Sequence, residues 1–193
     1  MKISNLRGIY KMKVCKFGGS SVKDATQIRK VIKILQQDKS RKVVVVSAPG
    51  RDDLHDQKIT DHLLNYATNG KHFSDHLIEV DAQQSFEAII TKYEKLCIDL
   101  GIDKNKIIEP LKKDLENTKL KDEKREAFCL SRGEHHNAKV IEQFMKKSKI
   151  NVKLMLPEDF GFILSENFTD GKVLNESYEN IERDFSIEED ILY

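Results

Sequence analysis

The most constraining feature of this sequence is an unbroken run of four valines, Val43–Val46. A β-branched run without polar alternation is typical of a strand that is buried on both faces of a parallel sheet. A shorter strand is predicted before it, over Val14–Phe17. Between the two strands the apolar side chains fall on one helix face, at Ile28, Val31, Ile32 and Leu35. Because a strand, a helix and a second buried strand form a βαβ unit, the sequence predicts an α/β fold.

The composition limits the classes of protein to which the chain can belong. Its 193 residues are enough for one domain or two small ones. The 33 Lys and Arg residues balance 32 Asp and Glu residues, and this argues against a nucleic-acid-binding protein. No apolar run approaches the ~18 residues that cross a bilayer, and the N-terminus lacks the apolar segment of a signal peptide. We therefore expect a cytoplasmic protein whose cysteines, Cys15, Cys97 and Cys129, are reduced structural residues.

The middle third of the chain, His72–Leu130, has a helical pattern. One apolar stripe runs over Phe86–Cys97, and Gly101 follows it as a stop signal. Pro110 is expected to interrupt or open a further charged helix over Leu111–Leu120.

The last third mixes one more helix with short strands. Leu130–Glu134 is expected to punctuate the chain and to start a helix whose apolar face extends to Met145. A strand is predicted over Val152–Leu156 and a weaker one over Phe160–Leu164. A turn that is typical of a hairpin follows at Thr169–Lys172.

The segment Lys16-Phe-Gly-Gly-Ser-Ser21 is a candidate anion site. A strand that passes through two glycines into a helix start leaves unpaired N–H groups, and glycine lets a phosphate approach the backbone. Ser20 and Ser21 are the expected caps of that helix, and Lys16 would add a positive charge. The alternative is an ordinary Gly-Gly turn with a solvent-exposed lysine, and the spacing alone does not decide between the two.

Other polar residues are ambiguous when they are taken singly. Ser47 follows the buried strand, where open α/β sheets bind ligands, and Thr60 is expected to cap a helix. Glu134 is expected at a helix start, where a carboxylate is favoured in any case. His135 and His136 point about 100° apart on a helix and cannot chelate one ion together, so we expect surface histidines and no metal site.

Three blocks, in order, resemble the aspartate kinases of the amino-acid kinase superfamily. The block Lys16–Val22 is similar to the opening KFGG[TS]SV of that family. Val44–Arg51, followed by Lys58–Asp61, is similar to its VVSAPG loop and the helix start after it. Ser131–Glu134, followed by Ala138, is similar to its S-x-GE segment. The resemblance spans roughly residues 12 to 185.

The resemblance implies phosphoryl transfer from ATP, with Mg²⁺ carried by the nucleotide phosphates, to the β-carboxylate of L-aspartate. The product is 4-phospho-L-aspartate, the first intermediate in lysine, threonine and methionine biosynthesis. By the same resemblance Lys16 neutralises the transferred group, and the phosphates are bound at Lys16, Phe17, Gly18, Gly19 and Ser20. Ser47 and Thr60 would hold substrate or phosphoryl oxygens through their hydroxyl groups, and Glu134 would bind the α-ammonium group of aspartate.

The implied architecture is a three-layer α/β/α sandwich around a mostly parallel sheet, apparently truncated. Residues 1–11 are expected to be an N-terminal extension, and residues 12–193 the amino-acid-substrate part of the kinase domain. The nucleotide-binding half and the regulatory domains, which follow an RGGSD segment in the family, are not found in the sequence. We therefore expect the fragment alone to be inactive and the full-length protein to be a homo-oligomer. The alternatives are another amino-acid kinase, or a non-catalytic short paralogue that binds an amino acid or a kinase partner.

Overall fold

A computed structural model of the protein describes residues 12–51, 57–72, 80–117, 119–168, 170–188 and 190–193. The predicted N-terminal extension, residues 1–11, lies outside the described residues, as does Thr169 of the predicted turn.

The chain begins with the predicted βαβ unit. Strand β1 (Lys13–Phe17) and strand β2 (Arg41–Val46) are connected by helix α1 (Ala25–Gln36). The strands are parallel, and Cys15 pairs with Val44. The amphipathic face predicted for α1 is buried. The α/β class and the parallel pairing are thus confirmed.

Five further α-helices follow within the described residues, and four of them form the helical core with α1. They are α2 (Ile59–Ala67), α3 (Ala82–Leu100), α4 (Asn105–Leu115), α5 (Asp122–Lys147) and α6 (Asn175–Asp184). Helix α2 packs on α3 and α5, and α4 packs on the same two helices. Over the part of the chain that the structure describes, no helix is long and apolar enough to span a membrane.

The stripe predicted in the middle third is the centre of this core. Ile89, Tyr93 and Cys97 of α3 are fully buried. Gly101 ends α3 in the left-handed conformation, with a φ of 64°. The prediction for Pro110 is wrong, because this residue lies inside α4. Proline removes one helical hydrogen bond, but α4 gains the burial of Ile107, Ile108, Leu111 and Leu115 on one face.

The predicted break at Leu130–Glu134 is also wrong. Helix α5 runs through this segment without interruption. A Cβ atom on Gly133 would lie 2.8 Å from the Cβ of Ala48 and 3.1 Å from Cδ1 of Leu63. The glycine therefore permits the close approach of α5 to α2 and to the loop after β2, and does not stop the helix.

Strand β2 is less buried than its valine run predicts. Val44 and Val46 pack against the helical core. Val45 is 45% exposed, and Val14 on β1 is 61% exposed. Side chains alternate between the faces of a sheet, so the described helices cover the face of Val44 and leave the face of Val45 open.

The chain beyond α5 returns to β2. The predicted strand Val152–Leu156 is reduced to one parallel bridge between Val152 and Leu192. The last residue, Tyr193, donates its N–H to Lys42 O at 2.8 Å and accepts from Val44 N at 2.6 Å. The C-terminal residues therefore lie along the free edge of β2.

The predicted hairpin is present in outline. Leu164 and Val173 form an antiparallel bridge on either side of the predicted turn. The weaker strand over Phe160–Leu164 is not formed as such, because Pro157–Phe160 is a 3₁₀ turn. Proline at the first position of that turn already has the required φ angle.

Candidate functional site

The loops that follow β1 and β2 are held together by their backbones. Ser47 donates its N–H to Phe17 O at 3.1 Å, and Gly50 donates to Gly19 O at 3.0 Å. A Cβ atom on Gly50 would lie 2.6 Å from the carbonyl carbon of Gly19. The two loops can approach this closely only because residue 50 has no side chain.

The loop after β1 differs from the prediction in its path. It forms a 3₁₀ turn over Gly19–Ser21, and α1 begins only at Ala25. Ser20 and Ser21 are therefore not the caps of α1. Asp24 caps it instead, since its carboxylate accepts the N–H of Gln27 at 2.8 Å.

The anion site predicted on this loop stays a prediction. The N–H groups of Gly18, Gly19 and Ser20 make no hydrogen bond to any described residue. Successive free N–H groups at a tight turn form a concave, positively polarised surface for anions. Lys16 is exposed near the end of β1 and pairs with Val45 in the ladder. Lys16 therefore lies in the strand that leads into the loop with the free N–H groups.

Thr60 and Glu134 do not occupy the helix positions predicted for them. Thr60 lies in the first turn of α2, after the cap residue Lys58, which makes no side-chain cap hydrogen bond. Glu134 is exposed in the middle of α5. Both residues differ from their predicted positions for the same reason. Core packing of the apolar side chains around them sets the helix boundaries.

The three predicted substrate residues nevertheless adjoin one contact point. Gly133, next to Glu134, lies against Ala48 and Leu63. Ala48 follows Ser47 in the chain, and Leu63 lies one turn after Thr60 in α2. The end of β2, the start of α2 and the middle of α5 therefore meet at Gly133.

Asn137 belongs to this junction and was not singled out in the sequence. Its side chain is fully buried in α5, and Nδ2 donates to Ser47 O at 2.6 Å. Its Oδ1 has no partner among the described residues. The available signal was a polar residue one turn from Gly133 on an otherwise packed helix face. Asn137 fixes the carbonyl group of Ser47 and thereby the first residue of the loop.

We expect Asn137→Ala to lower the free energy of unfolding by about 1–2 kcal/mol, because the partly buried Ser47 carbonyl loses its donor. Chemical denaturation of the purified chain measures this change. The matched control is Asn151→Ala, since Asn151 Nδ2 makes an exposed hydrogen bond to Asp190 O. An equal loss of stability in both variants would show that the hydrogen bond to Ser47 contributes no more to stability than an exposed one.

Tyr93 contacts the Gly133 junction from the helical core. Its hydroxyl group donates to Gly133 O at 2.6 Å, within the core. Complete burial raises the pKa of Tyr93 well above 10.0, so the hydroxyl group keeps its proton. Burial likewise raises the pKa of Cys97 to about 11 and that of Cys129 above its ordinary value. All three cysteines are free thiols, as predicted.

The prediction of surface histidines is wrong for His136. This side chain is fully buried, and its Nε2 lies 2.9 Å from Asp114 Oδ2. Potential ligand atoms of Asp114, His135 and His136 lie within 4.8 Å of one another. Arg132 Nη1 is 3.3 Å from the same carboxylate oxygen, and its positive charge opposes a bound cation. The cluster is better explained as a polar connection between α4 and α5.

Comparisons with known proteins agree with the resemblance in the sequence. Residues 11–190 match the amino acid kinase family. Aspartokinase 3 of Bacillus subtilis is 34% identical over 176 residues, which are 89% of this chain and 37% of that protein. The chain thus spans little more than a third of the length of this curated relative.

Two solved structures show the same fold. Aspartate kinase of Clostridium acetobutylicum matches with a TM-score of 0.67 at 27% identity, over 94% of this chain and 38% of its own. Aspartokinase III of E. coli, in complex with lysine and aspartate, matches with a TM-score of 0.71 at 18% identity. That match covers 90% of this chain and 37% of the E. coli protein. The expected amino-acid-kinase-like α/β fold is confirmed.

Proposed function

Because the chain belongs to the amino acid kinase family, we propose that it is the part of an aspartate kinase that binds L-aspartate and the phosphates of ATP. The reaction joins a β-carboxylate oxygen of aspartate to the γ-phosphorus of ATP. The bond between that phosphorus and the β,γ-bridging oxygen breaks, and ADP leaves with the electron pair. Such a transfer needs positioning and charge neutralisation rather than a covalent protein intermediate.

The observation that carries this proposal is the backbone contact between Gly19 and Gly50. It holds the loop with the free N–H groups against the loop that begins at Ser47. A donor phosphate on the first loop and an acceptor carboxylate on the second would therefore be neighbours. This is the arrangement that an in-line transfer between two substrates requires.

The first loop would bind the phosphates. The free N–H groups of Gly18, Gly19 and Ser20 would donate to phosphoryl oxygens, beside the backbone of Phe17. The ammonium group of Lys16 would neutralise the charge that the transferred group carries between the two oxygens. Mg²⁺ would accompany the nucleotide and reduce the negative charge of its phosphates.

The second loop and its neighbours would bind aspartate. The hydroxyl groups of Ser47 and Thr60 can donate to carboxylate oxygens. Glu134 is an exposed carboxylate beside the Gly133 junction and can pair with the α-ammonium group. Glutamate has the same charges and one more methylene group, so a panel of the two amino acids tests the choice of acceptor.

We expect Lys16→Ala to weaken MgATP binding at least tenfold, because a charged hydrogen bond contributes about 1.5–3 kcal/mol. The amide signals of Gly18 and Gly19 in an NMR titration report both the site and the affinity. Lys39→Ala is the control, since Lys39 is an exposed lysine in the turn before β2, at the opposite end of the strand. Unchanged signals of Gly18 and Gly19 at saturating MgATP would contradict the phosphate site.

The same chain tests turnover and the choice of acceptor. We expect little aspartate-dependent ADP release from residues 1–193 alone, and release once the remaining kinase domain of a relative is supplied. A preference for glutamate would favour another amino-acid kinase. Aspartate binding without any ADP release in the completed enzyme would favour the non-catalytic paralogue.

We expect the completed enzyme to be a homo-oligomer. Light scattering measures its mass in solution.

A further inference from the structure

Helix α5 holds the loop after β2 at two points. Gly133 packs on Ala48, and Asn137, one helical turn later, donates from Nδ2 to Ser47 O at 2.6 Å. Tyr93 Oη donates to Gly133 O at 2.6 Å, so this turn of α5 is also anchored to α3. A single contact would let the loop slide or turn against the helix. Two contacts, on consecutive residues of the loop, oppose both movements.

Glu134 lies on the same side of α5 as these two contacts. Successive residues are about 100° apart around an α-helix, so Gly133, Asn137 and Glu134 project within about 100° of one another. The side chain of Glu134 is exposed and lines the same groove as Val46, the residue before Ser47. The carboxylate of Glu134 therefore extends from a helical turn whose position relative to Ser47 is fixed.

We propose that Asn137 is a positioning residue that sets the length of the amino acid accepted between Glu134 and Ser47. This inference rests on the proposed function, in which Glu134 pairs with the α-ammonium group and the Ser47 loop holds the acceptor carboxylate. Aspartate and glutamate differ only in the number of methylene groups between those two charges. A fixed span between α5 and the loop therefore favours the shorter amino acid.

The chemistry of residue 137 suits positioning more than packing. The side chain of Asn137 is fully buried, and its Oδ1 has no partner among the described residues. An aliphatic side chain of similar size would fill the same space without leaving a buried acceptor unpaired. What the amide group adds is the directional hydrogen bond to Ser47 O. This bond orients the residue whose hydroxyl group would hold the acceptor carboxylate.

The test compares the affinities of the chain for L-aspartate and for L-glutamate. The amide signal of Ala48 in NMR titrations reports both dissociation constants. We expect the parent chain to prefer aspartate by about tenfold or more, which is the discrimination that one methylene group supplies. Asn137→Leu keeps the approximate volume of the side chain but cannot donate a hydrogen bond. We expect it to lower the preference at least about fivefold.

Two further variants separate positioning from stability. Asn137→Ala should lower the preference for aspartate as Asn137→Leu does. Ile107→Val is the control, because Ile107 is fully buried in α4 and the loss of a buried methyl group destabilises the chain away from the Gly133 junction. We expect Ile107→Val to keep the preference of the parent chain, since general destabilisation affects both amino acids equally.

The outcomes distinguish this inference from the proposed function. An unchanged preference in both Asn137 variants would overturn the inference and leave the proposed function intact, as would a parent chain that binds the two amino acids equally. A parent chain that binds neither amino acid, or that prefers glutamate, would contradict the proposed function and the inference with it. Loss of the folded state in both Asn137 variants would overturn the inference as well, since a residue that positions the loop is dispensable for folding.

Discussion

Gly50→Ala is expected to lower the free energy of unfolding by about 3 kcal/mol and to separate the two loops of the candidate site. The added Cβ would lie 2.6 Å from Gly19 C, 2.7 Å from Gly19 O and 2.9 Å from Ser20 N. All three neighbours are backbone atoms, so no rotamer change can relieve the contact, and the loops themselves must move. The hydrogen bond from Gly50 N to Gly19 O would be lost in the same movement.

Gly18→Ala is the matched control for stability. A Cβ on Gly18 meets nothing within 4 Å, and this residue has an extended backbone with a φ of −71°. We expect it to change the free energy of unfolding by less than about 0.5 kcal/mol. Urea denaturation of the two variants measures the difference. Equal stability of Gly50→Ala and the parent chain would mean that the contact between the loops is not held as the structure shows.

Loss of the contact between Gly19 and Gly50 should also change the affinity for ligands. If the proposed function is correct, Gly50→Ala weakens MgATP and aspartate together, because the Gly19 loop and the Ser47 loop are displaced from each other. Lys16→Ala should weaken only MgATP. A Gly50→Ala chain that is destabilised but binds both ligands normally would separate the structural role of the glycine from the proposed site.

Local sequence patterns were sufficient for the βαβ unit and for the centre of the core. A spacing of three and four residues places the apolar side chains of α1 on one helix face. They are buried as expected, at Ile28, Val31, Ile32 and Leu35. The valine run is a strand because β-branched side chains favour extended backbone. Its burial was predicted less well, since the exposure of Val45 depends on which chain segments cover the second face of the sheet.

The errors share one physical origin. The sequence around a residue does not show which distant residues contact it in the folded protein. Gly133 lies in a segment with the pattern of a break before a new helix, but it makes a close contact between α5 and Ala48. His136 has the pattern of a surface histidine, but α4 supplies Asp114 as a buried partner. Ser20 is a good cap in isolation, but Asp24 caps the helix that forms.

The candidate site was predictable mainly through the resemblance. Spacing alone left Lys16, Ser47, Thr60 and Glu134 with ordinary structural explanations. The structure adds a reason to consider them together, because the Gly19–Gly50 contact and the Gly133 junction both adjoin the loop that starts at Ser47. The position of Asn137 on a packed helix face could have marked it as a candidate, but its role could not be predicted, since its partner is a backbone carbonyl group 90 residues earlier in the chain.

The buried pair of His136 and Asp114 makes stability depend on pH. Burial lowers the pKa of His136 from 6.5 to about 4, although the hydrogen bond to Asp114 partly opposes this effect. As the pH falls below 6.5, the unfolded chain therefore binds a proton at this histidine before the folded chain does. The unfolding free energy should fall between pH 6.5 and about 4, in total by about 3 kcal/mol at ~1.4 kcal/mol per pKa unit.

Protonation of Asp114 extends the loss of unfolding free energy to lower pH. Burial alone would raise the pKa of this carboxyl group, but hydrogen bonds from His136 and Arg132 lower it below 3.8. A carboxyl group with a lowered pKa stabilises the fold above 3.8, and this contribution is lost on further acidification. The two effects thus act in successive pH ranges and in the same direction.

Denaturant titrations at a series of pH values test this prediction with His136→Gln, which keeps a donor for Asp114 but cannot take up a proton. We expect this variant to be less stable than the parent at pH 7 and to show a flatter slope between pH 6.5 and 4. The control is His135→Gln, because His135 is only half-buried and burial lowers its pKa less strongly. A slope that persists unchanged in His136→Gln would assign the acid sensitivity to other groups, and the buried pair would then be no more than a packing contact between α4 and α5.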